Sequence, residues 1–179
     1  MEKVVKKIVL IVIICLLAVY SINSQTLEER LSPMKPFLDK TWKGDLKSPE
    51  GEIISVVIRT FESLSDGKII KAVKKNEGNS NWSEGYFYWD DIAQRIAFFF
   101  IESSGVFNSG FVSAENNIIT IEGKMTWPAQ INPEVKQSYD FKNTFEFTAD
   151  GKMIDRWFHN AFGPWMPGHV IEFKGISKY

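Results

Sequence analysis

The two histidines of this chain are the first residues whose spacing suggests chemistry. His159 and His169 flank residues 161–168, where Gly163-Pro164 and Pro167-Gly168 predict a turn. A hairpin there would bring both imidazoles to one rim, as two corners of a metal site or as one axial ligand to haem. Two histidines without a third ligand make a poor metal site. The sequence therefore favours rim histidines, exposed or hydrogen-bonded, and predicts no metal, haem or other cofactor.

The acidic residues do not form a recognisable catalytic set. Asp155, Trp157 and His159 share one face of a predicted strand, because strand side chains alternate. A serine hydrolase also needs a nucleophile beside the histidine, and the chain has no G-x-S-x-G motif. The adjacent Asp90 and Asp91 are explained by turn formation. The sequence predicts no catalytic residue and does not indicate an enzyme. If the protein has an enzymatic activity, Asp155 and His159 are the residues to test for it.

Two of the four arginines, Arg59 and Arg156, fall within predicted strands. A guanidinium that pointed into a barrel would pair with an anion, because a buried guanidinium needs a partner. Placement on the rim or surface is the favoured alternative, since charged side chains are rarely buried.

Aromatic residues are abundant, with 14 Phe, 6 Trp and 5 Tyr. Alternation places Tyr86 and Tyr88 on one face of their strand and Phe98 and Phe100 on one face of the next. Inward rings would either line an apolar ligand pocket or simply fill the barrel, and the sequence leaves both open. The residues predicted to bind a ligand are Trp42, Arg59, Tyr86, Tyr88, Phe98, Phe100, Arg156, Trp157 and His159.

The elements that would position these residues are short β-forming runs that begin at Thr41. Turn residues such as Ser65-Asp66-Gly67 and Asp150-Gly151 separate them. The predicted strands are 41–46, 53–61, 68–75, 85–89, 95–102, 106–113, 118–125, 135–148, 153–160 and 169–176. About ten strands without intervening helices predict an all-β fold. Sequential hairpins favour a single antiparallel meander barrel, because closure removes exposed sheet edges.

A short helix is predicted before the first strand, within residues 27–40. Its apolar residues recur at three- and four-residue spacing, which is typical of a helix. They are Leu31, Met34, Phe37 and Leu38. Pro33 and Pro36 keep the helix short, since each removes a backbone donor. We expect this helix to plug one end of the barrel, with Trp42 packed against it.

Residues 1–24 are predicted to be a secretory signal peptide. Three lysines precede an uncharged run of thirteen residues, 8–20, and a small polar stretch follows. An uncleaved anchor is the alternative, but a membrane-spanning helix needs about 20 apolar residues. Cys15 does not fit a lipoprotein site, because Ile14 precedes it and apolar residues follow. Cleavage after Ser24 predicts a single domain, residues 25–179, exported to the periplasm or outside the cell.

The charge of the predicted mature chain argues against nucleic acid as a partner. Without residues 1–24, the chain retains 18 of its 21 basic and 21 of its 22 acidic residues, a formal charge of −3. A nucleic-acid-binding protein would carry a basic patch. The predicted mature chain also has no cysteine, which excludes disulfides and thiolate metal sites within it.

Short motifs along residues 31–178 are similar to those of the lipocalin-like (calycin) barrels. Residues 31–44 resemble their short helix and first strand with the pattern G-T-W-x-G, although Lys40 replaces the first glycine. Residues 86–90 and 103–110 are similar to a strand and a hairpin of an uncharacterised bacterial group of such barrels, distantly similar to nitrobindin-like proteins. The resemblance implies a cup-shaped barrel. Nitrobindin-like barrels use a late histidine for haem, but the rest of that signature is missing here.

Three functions remain open at this point. The leading hypothesis is an exported barrel that binds a small hydrophobic or amphipathic molecule, with no stable insertion into the membrane after signal cleavage. The second is a filled barrel that acts through its surface, for which Trp165 and Met166 in a Pro/Gly-bounded loop are the candidate contact. The third is an enzyme working inside the cup.

Overall fold

The computed structural model describes residues 27–78, 80–128 and 137–177. The predicted signal peptide and most of the predicted loop 128–133 lie outside the described residues. Within those ranges, one 3-10 helix, Glu29–Phe37, precedes ten strands. The strands are β1 (Lys40–Lys47), β2 (Ile53–Leu64), β3 (Ile69–Asn76), β4 (Trp82–Asp90), β5 (Arg95–Glu102), β6 (Phe107–Glu115), β7 (Ile118–Thr126), β8 (Ser138–Phe147), β9 (Lys152–His159) and β10 (Met166–Ser177).

The ten strands form one closed antiparallel barrel. Each strand pairs with its neighbours in the chain, and β10 closes the barrel by pairing with β1. Closure leaves no sheet edge with unpaired backbone groups. The predicted all-β meander barrel is confirmed, and each predicted strand overlaps one observed strand.

The 3-10 helix plugs one end of the barrel, as the sequence predicts. Leu31, Met34 and Phe37 are buried, and their strict three-residue spacing matches the three residues per turn of a 3-10 helix. The indole nitrogen of Trp42 donates a hydrogen bond to the Phe37 carbonyl oxygen at 3.0 Å, which fixes the helix to β1. Among the described residues, no helix has the length and apolar character needed to cross a membrane.

Two glycines face each other across β6 and β7. Gly110 pairs with Gly123, and a Cβ added to Gly110 would lie 2.1 Å from the Glu122 carbonyl oxygen. A Cβ at Gly123 would lie 2.0 Å from the Ser109 carbonyl oxygen. Such overlap with backbone leaves room only for glycine, which is typical of a place where two backbones approach closely.

The turn at the end of β4 confirms the structural role predicted for Asp90. Its carboxylate accepts hydrogen bonds from the backbone amides of Ile92 and Ala93 at 2.8 and 2.9 Å. The neighbouring Asp91 instead pairs with Arg30 at the start of the helical plug, at 2.7 Å. The two carboxylates therefore serve a turn and the attachment of the plug, and they lie outside the barrel interior.

Candidate ligand-binding cavity

The barrel encloses a cavity of about 270 Å³. At about 30 Å³ per water molecule, this corresponds to the volume of about nine waters. Rings of Phe61, Phe98 and Phe145 line its wall, and Phe37 of the helical plug closes its deep end. The walls of a small barrel therefore leave space for a guest molecule instead of filling the interior completely.

A buried carboxylate organises one side of the cavity. Asp155 of β9 is 0% exposed, and its Oδ2 accepts a hydrogen bond from Nη2 of Arg59 at 2.6 Å. Its Oδ1 accepts a second hydrogen bond from Nδ2 of Asn143 at 2.5 Å. Burial by itself would raise the pKa of Asp155, but the charge of Arg59, together with His169 and Asn143, holds this pKa below its ordinary value. Asp155 is therefore ionised and fixes Arg59 in the wall.

One histidine lies beside this carboxylate, and both histidines contact the ring of Trp157. Nε2 of His169 lies 3.6 Å from Oδ2 of Asp155, beyond hydrogen-bond distance, and this buried atom has no hydrogen-bond partner in the part of the chain that the structure describes. The ring of Trp157 stacks on His169 at a centroid distance of 5.6 Å and on His159 at 4.7 Å. Within the described part of the chain, no group of three or more His, Cys, Asp or Glu side chains is arranged to hold a metal ion.

A second polar group spans neighbouring strands of the cavity wall. Arg59 of β2 is paired in register with Lys74 of β3, and Lys74 is paired with Ser83 of β4. Ser83 is in turn paired with Glu102 of β5. Residues opposite each other in an antiparallel pair point to the same face, so this row faces the cavity together. Glu102 accepts a hydrogen bond from Asn108 Nδ2 at 3.0 Å.

Lys74 is the charged member of this row for which the described residues provide no ion pair or side-chain hydrogen bond. Its ammonium group forms no ion pair with any residue that the structure describes. Burial, followed by the charge of Arg59, lowers the pKa of Lys74, while Glu102 and Asp155 oppose the shift. Lys74 therefore presents a weakly solvated amine to the cavity.

The structure brings four of the nine predicted ligand-binding residues into the cavity wall. Phe98 and Phe100 of β5, Arg59 of β2 and Trp157 of β9 all line it. Trp42 lies inside the barrel but packs beneath the cavity, against Phe147 and the helical plug. Arg59 thus occupies the inward position that the sequence analysis treated as the less favoured alternative.

The remaining predicted residues do not line the cavity. Tyr86 and Tyr88 point outward because Phe87, between them, points inward. Arg156 is also outside, where its Nη1 pairs with Glu146 at 2.9 Å. His159 is half-buried at the rim, in contact with Trp157, and does not line the cavity.

Several polar residues of the cavity were missed by the sequence analysis although a signal exists for them. Lys74 follows Ile70 and Ala72 at alternate positions, so it shares the face of two buried apolar residues. In the same way, Asn143 lies between Phe141 and Phe145 on the inward face of β8. A polar residue in phase with inward apolar residues therefore indicates a polar group inside the barrel.

Comparison with known proteins adds support for the fold. No family model matches the chain, and no curated protein sequence matches it. Among solved structures, the crystal structure of Rv2717c from M. tuberculosis is similar at a TM-score of 0.56 and 14% sequence identity. The similarity covers 86% of this chain and 100% of that chain. At this identity, the likeness establishes a shared barrel architecture.

Proposed function

We propose that this protein binds a small amphipathic molecule inside the barrel. The observation that carries the proposal is the cavity of about 270 Å³, with apolar rings and an organised polar group in one wall. Ligand sites are typically apolar concave spaces with a few well-placed polar groups. The volume lies near the lower end of about 300–1,000 Å³ for ligand pockets, which favours a small guest.

The two ends of the cavity differ in chemistry. Phe37 contacts Phe61 at a ring-centroid distance of 4.5 Å and Phe145 at 5.3 Å, which makes the end near the plug apolar. Lys74 and Glu102 lie toward the C-terminal ends of β3 and β5, which are the strand ends away from the plug. An amphipathic guest would therefore place its apolar part against the plug and its polar part beside the Lys74 row.

The barrel architecture and the helical plug also support the proposal that this chain is a distant member of the lipocalin-like (calycin) barrels. The T-W-x-G pattern places Trp42 where its indole binds the plug through the Phe37 carbonyl oxygen. Haem binding, as in nitrobindin-like barrels, is included as an alternative in the ligand test below.

The proposal is tested with protein purified without added ligand. Native mass spectrometry would detect a co-purifying small molecule, and thermal unfolding would then be measured with six- to ten-carbon alcohols, acids and aldehydes, and with haem. A ligand that binds only the folded state raises the unfolding temperature. We expect a short amphipathic compound to stabilise the protein. No co-purifying molecule and no stabilisation by any compound would reject the proposal.

Filling the cavity is expected to abolish this binding. Ala72 is buried in the cavity wall, so an Ala72→Leu substitution would place three more carbon atoms in the space for a guest. We expect the affinity for the best compound of the panel to fall at least about tenfold, a loss of about 1.4 kcal/mol in binding free energy. Isothermal titration calorimetry measures the change.

Ala114→Leu is the matched control for this substitution. Ala114 is exposed on β6, so the same added atoms leave the cavity unchanged. Equal affinities of the Ala72→Leu variant and the wild type would place the binding site outside the cavity.

A surface function is the second candidate, and exposed apolar residues close together in the chain favour it. Phe162 and Trp165, between β9 and β10, are 65% and 56% exposed, and Met166, the first residue of β10, is 40% exposed. Exposed apolar patches often mark interaction sites. This function would survive the Ala72→Leu substitution, whereas a function that uses the cavity would not.

We also propose that residues 1–24 direct export and are then removed. The basic, apolar and polar segments of this stretch support the proposal. Expression of the full chain in a bacterial host, followed by intact-mass analysis of the periplasmic fraction, should give a protein that begins at Gln25. Retention of the full-length mass in the membrane fraction would contradict cleavage.

A further inference from the structure

We propose that Lys74 forms a reversible imine with a small aldehyde or ketone that enters the barrel cavity. This inference deepens the proposed function and depends on it, because the carbonyl compound must first bind in the cavity. Lys74, which is not among the nine residues predicted from the sequence to bind a ligand, would then hold the ligand covalently.

The position of Lys74 is the first argument. It lines the cavity from β3, with Arg59 and Ser83 as its paired neighbours on either side. A lysine on the outside of the same strand behaves differently: Lys71 forms an ion pair with Glu84 at 2.9 Å. The amine of Lys74 has no such partner among the described residues.

The neighbouring carboxylates are bound by other side chains. Asp155 is already engaged by Arg59 and Asn143, and Glu102 accepts a hydrogen bond from Asn108. Lys74 is partly buried and forms no ion pair with either carboxylate. A cation that is partly removed from water and has no ion-pair partner is destabilised, and this cost falls when the amine gives up its proton.

The electrostatic environment favours the neutral amine, which is the nucleophile. Burial and the adjacent guanidinium lower the pKa of Lys74, whereas the Glu84 ion pair raises the pKa of Lys71. Desolvation and a neighbouring cation are the two features that activate lysines for Schiff-base formation. The titratable groups that face the Lys74 side of the cavity from other strands are Arg59 of β2, Glu102 of β5, Tyr139 of β8, Asp155 of β9 and His169 of β10.

The chemistry needs no oxidant, reductant or metal. The lone pair of the Lys74 nitrogen attacks the carbonyl carbon, and the electron pair of the C=O bond moves to oxygen. That oxygen takes one amine proton, which gives a carbinolamine. The C–O bond then breaks, the second amine proton leaves with the hydroxyl group as water, and a C=N bond remains. The apolar rings around Phe98 and Phe145 would hold the substituent of the carbonyl compound.

The test uses hexanal and sodium cyanoborohydride, which reduces an imine to a stable secondary amine. The protein is treated at pH 7 and digested, and the alkylated lysines are identified by mass spectrometry. We expect Lys74 to be labelled at least about tenfold faster than Lys71, because an ordinary lysine with a pKa of about 10.4 is almost fully protonated at this pH. The difference should shrink at pH 10, where a much larger fraction of the Lys71 amine is neutral than at pH 7.

Two variants and one non-reactive compound complete the design. Lys74→Arg should lose the fast labelling while keeping a positive charge, and Lys71→Arg should leave it unchanged. 1-Hexanol, which has no carbonyl group, should slow the labelling of Lys74 by competing for the cavity.

The outcomes separate this inference from the function on which it depends. If 1-hexanol or a short acid binds the cavity but Lys74 is labelled no faster than Lys71, the imine proposal is wrong and ligand binding stands. If no compound of the panel binds and no lysine is labelled selectively, both proposals fall. If the Lys74→Arg variant is labelled as fast as the wild type, the reaction belongs to another amine and the inference is overturned.

Discussion

Replacing Asp155 with asparagine is expected to lower the free energy of unfolding by about 3–5 kcal/mol, the usual cost of breaking a buried ion pair from one side. The substitution keeps the shape of the side chain but removes its charge. Arg59 would then remain in the cavity wall without its anion, and its Nε already has no hydrogen-bond partner among the residues that the structure describes. Chemical denaturation with urea, followed by tryptophan fluorescence, measures the change.

An ion pair on the outside of the same barrel provides the control. Arg156 and Glu146 are paired at 2.9 Å, but both side chains remain partly exposed. Glu146→Gln should therefore cost less than about 1 kcal/mol, because solvent screens a surface pair. Similar losses for Asp155→Asn and Glu146→Gln would contradict the structural role assigned to the buried carboxylate.

The same carboxylate predicts how stability depends on pH. The folded state lowers the pKa of Asp155 below the value of about 3.9 expected for the unfolded chain. The unfolded state therefore takes up its proton first, so the stabilisation is complete above about pH 4 and is lost as the pH falls through the folded pKa. Unfolding measured from pH 7 to pH 2 should show this acid-dependent loss in the wild type and a smaller loss in Asp155→Asn.

Replacing Phe37 with alanine is the second substitution with a large expected effect. Phe37 is 0% exposed and contacts the rings of Phe61, Phe145 and Phe147 at centroid distances of 4.5, 5.3 and 5.0 Å. Truncating such a ring costs about 3–5 kcal/mol, from lost burial and from the space left behind. Equilibrium denaturation gives the loss directly.

This substitution should also change ligand preference, since Phe37 closes the deep end of the cavity. If the variant still folds, the ratio of its affinity for long alcohols to its affinity for short alcohols should be higher than in the wild type. Phe162→Ala is the control: this ring is 65% exposed, and its loss should change stability by no more than about 0.5 kcal/mol. A Phe37→Ala variant as stable as the wild type would show that the plug does not hold the barrel closed.

The pairing of Arg59 with Asp155 could not be predicted from the sequence. The sequence favours a rim or surface position for Arg59, because charged residues are rarely buried. Its inward orientation depends on Asp155, which lies 96 positions further along the chain. No local pattern links the two residues, because only barrel closure brings β9 within reach of β2 through β10 and β1.

The tyrosines of β4 show a different limit. The run Tyr86-Phe87-Tyr88-Trp89 has aromatic residues at both alternate sets of positions, so hydrophobicity alone does not select the inward face. The structure turns Phe87 inward and leaves the tyrosine hydroxyls outside, where Tyr86 donates to Glu84 at 2.9 Å. A hydroxyl without a partner would be costly inside the barrel, which provides a physical reason for this choice.

The sequence by itself determined the all-β class, the positions of the ten strands and the short helical plug. These follow from local preferences: β-branched and aromatic runs, turn residues, and apolar residues spaced by three. Only the tertiary structure decided that Arg59 faces a cavity, that Asp155 neutralises Arg59, and that no carboxylate of the described residues forms an ion pair with Lys74. Burial and charge pairing depend on strands distant in the chain, so the register and closure of the barrel determine them.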